Sequence, residues 1–371
     1  MIIGIPKEIK NKENRVGMTP TGVAKLVKAG HAVYIQKNAG IGSGFADAEY
    51  KTAGAKILPT AKAVYDIADM IVKIKEPLEQ EFSLIKKGQT IFTYLHLAAE
   101  KSLTKFLIKQ DVTGIAYETV ETSDRRLPLL EPMSQVAGRM SVQVGAHYLE
   151  KTNGGRGVLL GGTATVAPAK VVILGYGFVG SNAAQMAKGL GADVTILDVD
   201  DKKIASINKE KNPLFKAKKS TQSVIAKEIK DADLVVGAVL IPGAKAPKLV
   251  TKDMIKTMNH GAVVVDVAID QGGCMETSKP TSHEHPTYLV NDIIHYCVTN
   301  MPGAVARTST LAITNATLPY ILKLSNKGVV SAIRSVESLA KGVNTYQVKL
   351  TYKAVADAFG LKYTELKSLL K

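Results

Sequence analysis

Short apolar runs alternate with stretches of helical periodicity along most of the chain. The runs at 2–5, 33–36, 70–75, 91–95 and 114–117 have the length of buried strands, and helical patterns lie between several of them. Thr19 followed by Pro20 has the form of an N-cap with proline in the first helical turn, opening a helix that ends at Gly30. A long helical pattern without internal proline spans 132–151 and runs into a glycine-rich loop at 153–162. Further strands are expected at 171–174, 194–197, 234–237, 262–267 and 288–290, then a second long helical pattern at 302–324. Short helices and one strand near 346–350 complete the pattern. Such βα alternation predicts parallel sheets covered on both faces.

One segment narrows the picture. The run at 171–174 leads into G-Y-G-F-V-G at 175–180, a helical pattern at 181–190, a second run at 194–197 and then Asp198. A G-x-G-x-x-G alone is a weak signal. Set between strand and helix, with an acid about 20 residues on, it has the order of a dinucleotide-binding βαβ unit. Gly175 allows the tight turn, Gly177 lets the backbone approach a pyrophosphate, and Gly180 lets the helix pack closely. The helix N-terminus offers N–H groups and partial positive charge to phosphates. Asp198 favours NAD over NADP, since a carboxylate accepts the ribose 2′-OH and repels a 2′-phosphate. The two long helices bracket this region. The expected fold class is therefore α/β with two Rossmann-like domains. An NAD-binding domain at 133–302 is inserted into a discontinuous substrate domain, 1–132 and 303–371, joined by long helices.

Composition agrees. With 371 residues, 46% of them hydrophobic, the chain can build about two domains. No run reaches the ~18 apolar residues of a membrane helix, and the N-terminus lacks the layout of a signal peptide. The two cysteines, Cys274 and Cys297, give neither a disulfide framework nor zinc spacing, which favours a reducing, cytoplasmic setting. The net charge of +15 comes from lysine, scattered over both halves as at Lys202, Lys203 and 216–219. There is no tryptophan and no basic stripe interleaved with aromatics. A solvated lysine-rich surface is expected rather than a nucleic-acid site, with a field that attracts anionic substrates.

Ligands of open α/β sheets bind beyond the carboxyl ends of the strands. Four residues there can carry chemistry. Arg15, in the loop after the first strand, can hold a carboxylate with two parallel hydrogen bonds, or it is a surface arginine. Lys75, at the end of the 70–75 run and by period two on the same side as Lys73, can polarise a carbonyl or bind a carboxylate, or it reaches solvent at an edge. His96, after the 91–95 run, can move protons near neutral pH or be structural. Asp270, past the end of the 262–267 run, can bind or activate water, whereas Asp266 within that run is expected to make local hydrogen bonds. His283 and His285 sit in a polar loop without a third clear ligand, so no metal site is expected. His31, His147, His260 and His295 read as structural.

With those residues assembled, the whole chain resembles the alanine dehydrogenases. The resemblance is carried by IGIPKE (3–8), ENRVG (13–17), VKIKEP (72–77), FTYLHLA (92–98) and PMSQVAGRM (132–140). It continues in GAVLIPG (237–243), DVAIDQGG (266–273), NMPGAV (300–305) and RTST (307–310). It implies reversible oxidative deamination of L-alanine to pyruvate and ammonia with NAD, in a homohexamer. It also implies that Arg15 and Lys75 hold the substrate, His96 is the acid/base and Asp270 handles water and amine chemistry. For the cofactor it implies Ser134, the turn Gly175, Gly177, Phe178, Val179 and Gly180, then Asp198, Lys203, Ser220, Val239, Leu240, Val267, Asp270, Lys279, Val298, Asn300 and Met301. The related alternative is the NAD-binding subunit of a proton-translocating transhydrogenase; a second is a catalytically silent NAD-binding regulator. Retention of all four chemical residues favours the enzyme. Tyr176 is bulkier than the residue common at that position of the family's turn.

Overall fold

The structure, a computed structural model, describes residues 1–239 and 246–370. The chain divides into two compact units, residues 1–133 with 303–371 and residues 134–302. The first crossing falls inside the helix Glu131–Leu149. The second falls in the 3-10 turn Met301–Val305, which leads into the helix Ala306–Lys327.

The first unit begins with β1 (Ile2–Ile5), β2 (Ala32–Gln36), β3 (Lys56–Leu58), β4 (Met70–Val72), β5 (Thr90–Thr93) and β6 (Thr113–Ala116). The second contains β7 (Lys170–Leu174), β8 (Asp193–Asp198), β9 (Phe215–Lys219), β10 (Leu234–Gly237), β11 (Val263–Asp266), β12 (Thr287–Val290) and β13 (Ile293–Tyr296). The chain then returns to the first unit for β14 (Val343–Tyr346) and β15 (Lys349–Leu350). The sheet orders are β15-β14-β6-β5-β4-β1-β2-β3 and β12-β13-β11-β10-β7-β8-β9. β1 to β6 are parallel, as are β7 to β11 and β13, while β12, β14 and β15 are added antiparallel at the edges. Read through the parallel strands alone, both sheets have the doubly wound order 3-2-1-4-5-6. The chain reverses direction across the sheet between β1 and β4 and again between β7 and β10, and a ligand crevice forms outside the strand ends at such a point.

The apolar runs become strands because both of their faces are covered. Ile71 and Ile91 pack with Val64, Leu103 and Leu107 on one face of the first sheet. Val172, Val235 and Val264 pack with Ile225, Ile229 and Ile255 on one face of the second. Thr19 caps its helix as its sequence suggests, its hydroxyl accepting the Gly22 N–H at 3.2 Å, and the helix runs Pro20–Lys28.

Two expectations are corrected. The strand expected at 70–75 ends at Val72, so the period-two alternation stops before Lys75 and does not pair it with Lys73. The single strand near 346–350 is a hairpin, turned by Gln347 and Val348, both with positive φ. That conformation at both central residues matches the twist of the flanking strands, though neither residue type advertises it. The lysines at 216–219 belong to edge strand β9, where Phe215 and Ala217 face the core. Lysines on an edge strand also discourage pairing with another chain.

Beneath the carboxyl ends of β1 and β4 lies a buried ionic cluster. Lys73, fully buried, donates to Glu81 Oε1 at 2.9 Å and lies 3.2 Å from Glu8 Oε2. Tyr65 donates its hydroxyl to the same Glu81 oxygen at 3.0 Å. Burial opposes the charge on Lys73, but Glu8, Tyr65 and Glu81 outweigh it and hold the ammonium protonated. Removing one partner of a buried pair leaves the others uncompensated. Lys73→Met is therefore expected to lower stability by about 3–5 kcal/mol. Urea unfolding monitored by circular dichroism measures it, and a loss below about 1 kcal/mol would show that the cluster contributes little.

Candidate functional site

Past the ends of β1, β4 and β5 the first unit carries Arg15, Lys75 and His96. Arg15 follows β1 and is not a surface residue, being only 2% exposed. Its Nε donates to Glu13 Oε1 at 2.7 Å and its Nη2 to Oε2 at 2.5 Å, while Nη1 lies 3.2 Å from Met133 Sδ. Burial works against its charge, but the two bonds to Glu13 win and keep the guanidinium protonated. A cavity of about 410 Å³ has Glu8, Glu13, Asn14, Arg15, Asn38 and Ile41 among its lining residues.

Lys75 follows β4. Glu8 Oε1 accepts the Ile74 N–H at 2.7 Å and the Lys75 N–H at 3.4 Å, and the Thr93 hydroxyl donates to the Lys75 carbonyl at 3.1 Å. The lysine backbone is thereby tied to β1 and β5 while its side chain is half-buried. Burial, reinforced by the Arg15 cation, pushes the Lys75 pKa below the ordinary lysine value. A carboxylate bound beside them would relieve the repulsion between these two cations. His96 follows β5, with its side chain 47% exposed and its Nδ1 3.9 Å from Glu118 Oε1.

The second unit presents different chemistry at the corresponding place. Gly175 ends β7 with φ +91°, the left-handed conformation its turn requires. A Cβ added at Gly180 would stand 1.8 Å from the Gly175 carbonyl oxygen, so the helix approaches the turn more closely than a side chain allows. A Cβ added at Gly177 would meet nothing within 4 Å, which leaves the backbone open to a ligand. Gly177 caps the helix Phe178–Gly189 without a side-chain bond. Asp198, buried at the end of β8, accepts the Tyr176 N–H at 2.6 Å and the Asp200 N–H at 2.8 Å. Lys203 Nζ lies 4.0 Å from it. An open glycine backbone, a helix N-terminus and a carboxylate at the next strand end are what a dinucleotide needs.

The other expected cofactor residues lie elsewhere in the second unit. Ser220 follows β9, Val239 follows β10, and Val267 and Asp270 lie in the 3-10 turn Val267–Gln271 after β11, with Asp270 exposed. Buried Val298, then Asn300 and buried Met301, follow β13. Phe178 and Val179 open the glycine-turn helix, and Ser134 lies in the helix Glu131–Leu149. Lys279 is exposed in a loop, its N–H donating to the Tyr288 hydroxyl at 2.7 Å. Leu240 lies outside the described residues. Asp266 makes local bonds, accepting from the Ala268 N–H at 3.1 Å, the Cys274 N–H at 2.8 Å and the Ser278 hydroxyl at 2.5 Å.

The remaining histidines have neighbours of their own. His283 Nε2 is 3.2 Å from the Asn300 carbonyl, and His295, fully buried, is 2.8 Å from the Thr277 hydroxyl. His31 Nε2 lies 2.7 Å from Asn326 Oδ1. His147 lies beside Glu150, and His260 beside Asp292. Among the described residues no group of three or more His, Cys, Asp or Glu is placed to hold a metal ion. No described helix is long and apolar enough to cross a membrane.

Three acids escaped the sequence reading: Glu8, Glu13 and Glu118. The first two lie inside the IGIPKE and ENRVG motifs, where no spacing rule gives an acid a role. Glu118 follows β6, where the search for polar residues past strand ends would have found it.

Comparison with known proteins identifies the family. The family model described as alanine dehydrogenase/PNT, N-terminal domain, matches residues 4–137, and the corresponding C-terminal domain model matches 141–353. The alanine dehydrogenase of Methanococcus maripaludis is 58% identical over 371 residues, covering 100% of both chains. That of Halomonas elongata is 53% identical over 370 residues, again covering 100% of both. A solved structure named L-alanine dehydrogenase has a TM-score of 0.94 at 51% identity, covering 97% of this chain and 99% of that one. A transhydrogenase from Sinorhizobium meliloti has a TM-score of 0.82 at 25% identity, covering 95% and 100%. With both halves matched in order and relatives this similar along the full length, the chain belongs to the alanine dehydrogenase/PNT family.

Proposed function

We propose that the chain is an NAD-dependent L-alanine dehydrogenase, converting L-alanine, NAD⁺ and water into pyruvate, ammonium, NADH and a proton, reversibly. The observation that carries this reading is full-length identity of 58% and 53% to proteins named alanine dehydrogenase. The transhydrogenase likeness is much weaker in sequence, at 25%. In this reading 133–302 is the NAD-binding domain, and 1–132 with 303–371 is the substrate domain. The glycine turn 175–180 and Asp198 hold the dinucleotide, with Ser134, Lys203, Ser220, Val239, Leu240, Val267, Lys279, Val298, Asn300 and Met301 around it. The protein acts in the cytoplasm as a homohexamer, an assignment that rests on the family resemblance and on cysteine usage.

NAD, when bound, supplies the hydride acceptor. The protein supplies position and protons. Arg15, held by Glu13, grips the substrate carboxylate, and Lys75 adds a second cation on the same anion or on the keto oxygen. His96 takes the proton released as the amine is oxidised and returns it in the reverse direction. The Asp270 carboxylate orients the water that adds at the carbon and accepts its proton, so that ammonia can leave. These four groups need no metal ion.

Purified protein is expected to oxidise NADH only when pyruvate and ammonium are both supplied. Oxidation with pyruvate alone would indicate a hydroxy-acid dehydrogenase, and no oxidation would leave a silent binder. His96→Ala and Asp270→Asn are each expected to lower kcat by about 10²–10⁴-fold with NADH affinity little changed. Stopped-flow turnover and fluorescence titration of NADH check this, and near-native turnover would remove that residue from the mechanism.

The lowered pKa of Lys75 gives a pH signature. Below its pKa the ammonium attracts pyruvate; above it the attraction is lost. KM for pyruvate at saturating ammonium is therefore expected to rise with pH below the ordinary lysine value of about 10.4. In Lys75→Arg, which stays protonated throughout, that rise disappears. Parallel rises in both proteins would place the titration elsewhere.

A further inference from the structure

His96 is held in an unusual backbone state. Its φ is +48°, in the left-handed region that few residues other than glycine enter. A conformation of this kind persists where neighbours over-determine it. Here the neighbour is Glu118, in the 3-10 turn Tyr117–Thr119 directly after β6. Its Oε1 accepts the His96 N–H at 2.6 Å, and both of its oxygens lie 3.2 Å from the Leu95 N–H, which donates to them. The His96 carbonyl in turn accepts the Ala99 N–H at 2.9 Å.

The side chain is arranged from the same direction. His96 Nδ1 lies 3.9 Å from Glu118 Oε1, too far for a direct hydrogen bond but close for two charges. The Tyr94 ring stacks on the imidazole, with centroids 5.9 Å apart and planes 8° from parallel. β5 and β6 are neighbouring parallel strands, so Glu118 reaches sideways from the end of one to clamp the loop leaving the other. Its carboxylate is 16% exposed while the imidazole is 47% exposed, so the clamp is largely covered and the histidine is not.

We propose that Glu118 is a positioning residue for the reaction. Its carboxylate fixes the Leu95 and His96 backbone N–H groups, holding the imidazole with Nδ1 toward Glu118 and leaving Nε2 to exchange protons with the substrate. Glu118 acts through His96 and not on the substrate itself. This role rests on His96 being the acid/base group of the reaction proposed above.

The test compares Glu118→Ala, Glu118→Gln, His96→Ala and the double variant Glu118→Ala/His96→Ala. Loss of the clamp is expected to lower kcat on the order of 10- to 100-fold, as misplacing a reacting group by about 1 Å does. Affinity for NADH is expected to stay unchanged. Glu118→Gln keeps a carbonyl oxygen for the His96 N–H and is expected to recover most of the loss. In the His96→Ala background, removing Glu118 is expected to cost less than about twofold more, because a residue that acts only through another is not additive with it.

Hydrogen exchange of the 94–97 segment supplies a readout independent of turnover. It is expected to quicken in Glu118→Ala and to stay near wild type in Glu118→Gln. Near-native kcat in Glu118→Ala, an undiminished further loss in the His96→Ala background, or unchanged exchange would each overturn the positioning role. Wild-type protein without alanine or pyruvate turnover would instead overturn the proposed reaction, with the exchange comparison still deciding whether Glu118 holds the loop.

Discussion

The candidate substrate site depends on buried carboxylates that tie charged loops to the ends of parallel strands. A strand end at a reversal point exposes backbone N–H groups and must still carry cations if an anionic substrate is to bind. Glu8 meets both demands at once, with one oxygen on the Ile74 and Lys75 N–H groups and the other on the Lys73 ammonium. Glu13 does the same for the Arg15 guanidinium. Buried charges are costly alone and tolerable when paired and hydrogen-bonded, so the arrangement is all or nothing. With these acids in place, the Arg15 guanidinium and the Lys75 backbone are held at the strand ends, and burial strengthens the pull of both cations on a carboxylate.

The two units share a winding and differ in what they place at the reversal point. The first offers cations supported by acids. The second offers open backbone at Gly177 and an acid at Asp198. Phosphates call for N–H groups and a helix terminus, which glycine supplies by withholding a side chain. A ribose calls for an acceptor, and Asp198 is pre-oriented by the Tyr176 and Asp200 N–H groups. On the proposed reading, one topology serves two ligands because specificity lies in the few residues past each strand end.

Much of this was legible in the sequence. The glycine turn, the strands on either side of it and the bracketing helices were plain because periodicity and turn chemistry agree there. Lys75 and His96 stood out because each ends an apolar run, and Arg15 because it lies in the loop after the first strand. Their surroundings were less legible. Whether Arg15 faced solvent turned on Glu13, two residues away, forming a closed pair that no spacing rule marks. The N–H of left-handed His96 is held by Glu118, contributed 22 residues on by the turn after a neighbouring strand. Strand β9 was hidden by its lysines, which read as solvated surface although Phe215 and Ala217 alternate with them inward. The hairpin at Gln347 and Val348 lacks glycine or asparagine, so its turn carried no signal.

Hydride transfer between the nicotinamide and the α-carbon of alanine defines the proposed reaction. The most direct measurement follows deuterium from NADH labelled at C4 of the nicotinamide, incubated with the protein, pyruvate and ammonium. Mass spectrometry of the product is expected to find one deuterium at the α-carbon of L-alanine when the transferred face carries the label. Deuterium in lactate, or alanine formed without any label from either face, would contradict the claim.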